Sequence, residues 1–174
     1  MDAAERVDRA ESALRRSDAF AVENGAFAVT TTELDAQVTV SGGKDGPPVY
    51  RVTVIAPTID SVVADESVAG VVADGWADTF ERRLVDPHQV GRGLEPIEPI
   101  VAVEEEEAVT VRMRFRDADP ERGGENARAL AEFVEGVWVQ GLIPGYTYRE
   151  PAKTLLDRAV DRSEPPADGS GVGP

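Results

Sequence analysis

The segment FAVENGAFAV at residues 20–29 carries the clearest β-hairpin signal of the sequence. Two short apolar runs flank Asn24-Gly25 within it. A two-residue hairpin turn places both of its central residues at positive φ, a conformation that Asn and Gly tolerate best. The stretch therefore predicts two antiparallel strands joined by a tight turn.

The alternation of apolar and polar residues continues on the C-terminal side of this hairpin. Residues 37–41 and 50–54 each place apolar side chains on one face and Thr, Gln or Arg on the other. Residues 100–103 and 109–116 form a second predicted hairpin, in which Glu104 to Glu107 form the turn. A period of two indicates strands with one covered face, so we expect an antiparallel sheet.

Four segments show helical periodicity, and their expected bounds are residues 2–17, 58–86, 125–141 and 152–162. The second is expected to be the main helix of the core, continuous or broken near Asp65. The third helix is expected to follow a connection that contains Gly123-Gly124.

The pattern as a whole predicts an α+β fold, an antiparallel sheet with helices packed on one face. The expected order of elements is α-β(3-4)-α-β-β-α-α. Residues 1–162 form a single domain in this interpretation, and residues 163–174 form a disordered C-terminal tail rich in Pro, Gly and Ser.

Two resemblances follow from these elements. The order of elements resembles the type III secretion chaperone-like fold, which the bacterial YbjN-type proteins also adopt. The stretches VADGW at 72–76, TFERRL at 79–84 and LIPGYTY at 142–148 resemble a haloarchaeal family of conserved proteins of unknown function, over residues 1–160 or so. The first resemblance implies dimers that present surfaces to client segments. The second implies a halophilic origin and no assigned activity.

The charge of the chain is strongly negative. It has 33 Asp and Glu against 18 Lys and Arg, a net charge of −15, and its lysines are Lys44 and Lys153. At molar salt the Debye length falls to roughly 3 Å and self-repulsion is screened, so the composition predicts a protein adapted to a salt-rich cytoplasm. An acidic mimic of nucleic acid is the alternative, and it is less favoured because the acids are spread along the chain.

Composition also excludes or disfavours several classes of protein. The chain has no cysteine, which excludes disulfides and thiolate nucleophiles. No apolar run approaches the roughly 18 residues of a membrane span, and the acidic N-terminus does not resemble a signal peptide, so we expect a cytoplasmic protein. Nucleic-acid binding is not expected, because phosphate neutralisation needs a basic face and basic residues are scarce.

Three arginines on one strand form the most informative candidate site. Arg112, Arg114 and Arg116 alternate along the predicted strand and share one face, where like charges repel unless acids neutralise them. Glu104, Glu106 or acids of a neighbouring strand are the candidates for neutralising them within the fold. Otherwise this face meets an acidic protein partner or a second subunit, and Arg51 joins it from another strand. The planar guanidinium suits such an interface because it pairs with a carboxylate through two hydrogen bonds.

No catalytic, cofactor-binding or metal-binding residue is assigned. His88 is the single histidine and lies in a Pro/Gly loop, and the chain has no G-x-S-x-G motif. Consecutive acids at 104–107 point to alternate faces of a strand and do not converge on a cation. We therefore expect a non-enzymatic protein-binding, adaptor or chaperone-like module. The alternative is a small-ligand binder or enzyme that uses a pocket between sheet and helices near His88.

Overall fold

The computed structural model describes residues 1–104 and 107–163 of the chain. Within these residues the strands are β1 (Phe20–Glu23), β2 (Ala26–Val29), β3 (Asp35–Ser41), β4 (Val49–Pro57), β5 (Ile100–Glu104) and β6 (Ala108–Arg116). The helices are α1 (Ala3–Arg16), α2 (Ile59–Val62), α3 (Gly70–Arg83), the 3₁₀ helix η1 (Pro87–Val90), α4 (Pro120–Gln140) and α5 (Ala152–Ser163).

The strands form one antiparallel sheet in the order β1-β2-β3-β4-β6-β5. The first four follow one another as a meander, and the β5–β6 hairpin joins it through the pairing of β6 with β4. In the turn between β1 and β2, Asn24 and Gly25 have φ values of 50° and 78°. The predicted hairpin is therefore confirmed, and so is the α+β class with its antiparallel sheet.

The longest helix, α4, is the centre of the core, and this corrects the sequence-based assignment. We expected the helix over 58–86 to hold that place, but α3 buries only Trp76 and Phe80 within it. The buried residues of α4 are Gly123, Gly124, Asn126, Ala127, Leu130, Ala131, Val134, Val137 and Trp138. This helix packs on β4 and on α1, and Trp138 Nε1 donates a hydrogen bond of 2.9 Å to the carbonyl of Pro57.

The start of α4 lies earlier than the expected residue 125. Asp119 caps the helix by accepting from the main-chain N–H groups of residues 121 and 122, and Pro120 occupies the first turn. Gly123 thus lies inside the helix and not in a connection. A Cβ on Gly123 would clash with the Tyr50 hydroxyl, so this glycine allows the helix to approach β4.

The helix expected over residues 58–86 is broken near Asp65, which is one of the two expected alternatives. A short isolated bridge pairs Val63 with Tyr148, and Asp65 follows with a positive φ of 65°. The Tyr148 hydroxyl donates to the carbonyl of Ile143 at 2.7 Å and accepts from its N–H at 2.8 Å. These contacts fasten the segment before α5 to the core.

One contiguous cluster of apolar side chains fills the space between the sheet and the helices. The C-terminal helix ends at Ser163, one residue beyond the expected bound. The remainder of the predicted disordered tail, from residue 164 onward, lies outside the described residues.

Candidate partner-binding face of the sheet

The four arginines predicted for partner binding lie together on the outer face of the sheet. Arg51 in β4 is the cross-strand partner of Arg114 in β6, and Arg112 and Arg116 lie on either side of Arg114 along β6. Directly opposite residues of antiparallel strands project to the same face, so the four side chains are neighbours. All four are exposed, whereas α1 and α4 pack on the other face. We call Arg51, Arg112, Arg114 and Arg116 the arginine face.

Two members of the arginine face have partners within the chain. Arg112 Nη2 lies 2.9 Å from Glu104 Oε1, which confirms one of the expected neutralising pairs. Arg51 Nη1 donates to Ser41 Oγ at 2.6 Å. The other expected acid, Glu106, lies outside the described residues. Exposed ion pairs of this kind contribute about 0–1 kcal/mol, so the Glu104 contact neutralises charge more than it stabilises the fold.

The other two members have no such partner. Within residues 1–104 and 107–163, neither Arg114 nor Arg116 makes a side-chain hydrogen bond or an ion pair. This contrasts with the composition, since the chain carries 15 more acidic than basic residues. The open face therefore holds positive charge that the described fold does not neutralise.

A buried polar network at the end of β6 was not found from the sequence. Arg122 donates to both carboxylate oxygens of Asp117, from Nε at 3.0 Å and from Nη2 at 2.9 Å. The same carboxylate accepts from Asn126 Nδ2 at 3.2 Å and from the N–H of Asp119 at 2.9 Å. Asn126 in turn accepts from the main-chain N–H of Arg92 at 2.9 Å and donates to its carbonyl at 3.0 Å.

This network has a structural role. The side chain of Asp117 is 2% exposed and accepts four hydrogen bonds, so its charge is fully compensated. The hydrogen bonds that Arg122 donates to Asp117 also raise the pKa of the Arg122 guanidinium. Together these bonds tie the end of β6, the first turns of α4 and the loop after η1 to one another. Abundant acids in the sequence gave no signal that singled out Asp117.

Tyr50 lies beside this network on the inner face of β4. Its ring stacks on Phe115, with centroids 4.9 Å apart, and its hydroxyl is buried without a hydrogen-bond partner in the described chain. Burial, followed by the nearby carboxylates of Asp117 and Asp119, raises the pKa of the phenol well above its usual range. The phenol therefore stays neutral and serves packing.

The alternative site near His88 gains no support from the geometry. His88 is half-buried in η1, and its Nδ1 has no hydrogen-bond partner among the described residues. Those residues hold no group of three or more His, Cys, Asp or Glu side chains placed to bind a metal ion. Leu130 and Trp138 are fully buried members of the apolar cluster between the sheet and the helices.

The chain matches a known protein family. A model of a family of unknown function (DUF5813) matches residues 15–158. This confirms the expected resemblance to a family of unknown function, while the haloarchaeal origin stays a prediction. No curated protein and no solved structure matches the chain, so the chaperone-like resemblance also stays a prediction. Among the described helices, none combines the length and the apolar character needed to cross a bilayer.

Proposed function

Because the chain belongs to the DUF5813 family of unknown function, we propose its role from its own surface. The proposal is a non-enzymatic protein-binding or adaptor module that docks an acidic protein segment on the arginine face. The observation that carries it is the exposed charge of Arg114 and Arg116, which has no partner in the described chain.

The chemistry of the face favours carboxylates as ligands. Guanidinium groups form planar pairs of hydrogen bonds with carboxylates, and arginine is enriched in protein interfaces. Arg51 and Arg114 lie directly opposite each other, so an extended acidic segment crossing β4 and β6 would meet both. Such a contact would also relieve the repulsion between like charges on neighbouring strands.

A second copy of the chain is a poorer occupant of this face. A two-fold symmetric dimer places the same patch of both subunits in contact, and here it would press arginine against arginine. An acidic segment of a different protein avoids that repulsion. A dimer formed through the arginine face is therefore an outcome that would count against the proposal.

A salt-rich cytoplasm is part of the proposal, because two acidic proteins repel each other in dilute buffer. At about 1 M salt the Debye length is roughly 3 Å, so long-range repulsion vanishes while contact pairs at the arginine face remain. The chain should accordingly lose stability as KCl is lowered below about 1 M. A urea midpoint that is the same in 2 M and 0.1 M KCl would remove the halophilic part of the proposal.

Binding of a defined acidic peptide tests the proposal. The probe is a fluorescently labelled ten-residue peptide of alternating Glu and Thr, and the readout is anisotropy with the full chain in 2 M KCl. We expect saturable binding that weakens roughly tenfold or more in Arg114→Glu, since a charge-assisted contact becomes a repulsive one. Arg82→Glu on α3 makes the same charge change at an exposed position away from the face and should bind like the unsubstituted protein. Equal losses in both variants would contradict the proposal.

A further inference from the structure

The edge of the sheet is open where β5 stops short of the end of β6. The pairing of these strands ends with Ile100 opposite Arg112, so within residues 1–104 and 107–163 no strand lies beside residues 113–116 on that side. The chain before β5 instead runs inward at the buried Ile97. A cleft of about 480 Å³ lies here, and the residues that shape it include Pro47, Glu95, Ile97, Arg114, Arg116 and Arg122. We call it the β6-end cleft.

The pairing register shows which main-chain groups face this cleft. Thr58 N–H donates to the carbonyl of Glu107 at 2.9 Å, and Asp117 N–H donates to that of Pro48 at 3.4 Å. In an antiparallel ladder hydrogen-bonded residues alternate, so the odd-numbered residues of β6 direct their main-chain groups toward β4. The N–H groups of Arg114 and Arg116 therefore point to the opposite side, into the open edge.

Side-chain donors line the same cleft. The guanidinium groups of Arg114 and Arg116 make no hydrogen bond or ion pair in the described chain, and that of Arg116 lies next to Gly43 and Gly46 of the β3–β4 loop, close to Pro47 of the cleft. Arg122 uses Nε and Nη2 on the buried Asp117, so its Nη1 stays available. Among the acids, Asp117 is fully engaged, and Glu95 lines the cleft without forming an ion pair with any of the three arginines. Donors and positive charge thus exceed acceptors and negative charge.

We propose that the β6-end cleft is a binding site for a small dianion, with phosphate or a short dicarboxylate as its ligand class. Its volume lies within the range of about 300–1,000 Å³ that is usual for small-molecule sites. Guanidinium groups together with main-chain N–H donors are the groups that recognise oxyanions. The site goes beyond the acidic docking face, because Arg51 and Arg112 do not line the cleft, whereas Arg122, which is not part of the arginine face, does.

Amide chemical shifts provide the test with its own internal control. Uniformly ¹⁵N-labelled full chain is titrated at constant ionic strength in KCl, first with inorganic phosphate and then with succinate. We expect saturable shifts at the amides of Arg114 and Arg116, and smaller ones at Met113 and Phe115, whose N–H groups face β4. Arg116→Gln should weaken binding roughly tenfold, and Arg51→Gln should leave it unchanged.

The two probes separate the possible ligands. Saturation by phosphate alone assigns a phosphate site, and saturation by succinate, alone or together with phosphate, assigns a site that accepts carboxylates. The proposal is overturned if neither probe saturates, if all exposed arginines shift alike, or if binding survives Arg116→Gln. Any of those results leaves the acidic docking face intact, because the peptide titration tests that face separately and Arg51 belongs to it without lining the cleft. Conversely, a failed peptide titration leaves the anion titration interpretable.

Discussion

The two faces of β4 differ in how far most of their side chains are buried. Tyr50, Val52 and Val54 point inward and are fully buried beneath α4, whereas Arg51 and Thr53 alternate with them on the open side. Burial of apolar side chains stabilises the fold by about 1.5–3 kcal/mol each, while an exposed arginine contributes little. Stability therefore depends mainly on the inward positions of β4, while Arg51 on its outward face belongs to the surface that we propose for partner binding. Substitutions at neighbouring positions should then change either the free energy of unfolding or the binding of the acidic peptide, but not both.

The same division separates two arginines close together in the chain. Arg122 is held by a carboxylate that is 2% exposed, and Arg114 has no acid to hold it in the described structure. The first is a structural arginine whose partner is buried. The second is a charge that the described fold leaves available to another molecule.

The largest effect is expected on the inner side of the sheet. Leu130→Ala removes a fully buried side chain of α4 and should lower the free energy of unfolding by about 2–5 kcal/mol, measured by urea denaturation in 2 M KCl. Ile55→Ala, on the outer face and 42% exposed, is the matched control and should cost less than about 1 kcal/mol. Similar losses in both variants would break the distinction between the faces.

A smaller loss is expected from Asp117→Ala. Removal of this carboxylate leaves the Asn126 amide and the N–H of Asp119 without their buried acceptor, at a cost of about 2 kcal/mol in unfolding free energy. The loop at Arg92 should also loosen, which amide hydrogen exchange would show. Glu125→Ala removes an exposed acid that pairs with Arg92 and should have little effect on either measurement. Unaltered stability in the Asp117 variant would contradict the structural role of the network.

The smallest expected effect concerns Glu135 of α4. Its carboxylate accepts from the N–H groups of Glu33 at 2.6 Å and Leu34 at 3.0 Å, yet burial outweighs these bonds and raises its pKa. A raised folded pKa gives stability that is present below the unfolded value of about 4.3 and is lost as pH rises through the folded value.

Glu135→Gln keeps an acceptor oxygen and cannot ionise, so it should lack this loss. Its unfolding free energy, relative to that of the unsubstituted protein, should rise between pH 4 and pH 7 by less than about 1 kcal/mol. Glu132→Gln, on an exposed position of the same helix, controls for charge. If the unfolding free energy of Glu135→Gln, relative to that of the unsubstituted protein, falls from pH 4 to pH 7, the pKa of Glu135 is not raised by folding.

The sequence predicted the elements that depend on local pattern. The Asn24-Gly25 turn, the alternation along β6 and the pairing of Glu104 with Arg112 are all set by residues close in the chain. Glycine usually weakens helices, so the Gly123-Gly124 pair predicts a connection and not a helix. The requirement for glycine at position 123 comes from the close approach of Tyr50, which lies in a distant strand.

The remaining features depend on which strands become neighbours. The position of Arg51 opposite Arg114 requires β4 to pair with β6, and alternation alone does not specify that pairing. The network of Asp117, Arg122 and Asn126 forms only when the loop after η1 meets the start of α4. The misplaced main helix has the same origin, since a long apolar stripe does not reveal which helix lies over the centre of the sheet.

The most direct measurement combines binding and stability in one variant. Arg51→Glu/Arg114→Glu is titrated with the labelled acidic peptide in 2 M KCl, and its urea unfolding is followed on the same sample. We expect peptide binding to be lost while the unfolding free energy is unchanged or higher, because two of the four like charges on the face have been replaced. Retained peptide binding, or loss of binding together with loss of folding stability, would contradict a division in which the inner face holds the fold and the arginine face binds the partner.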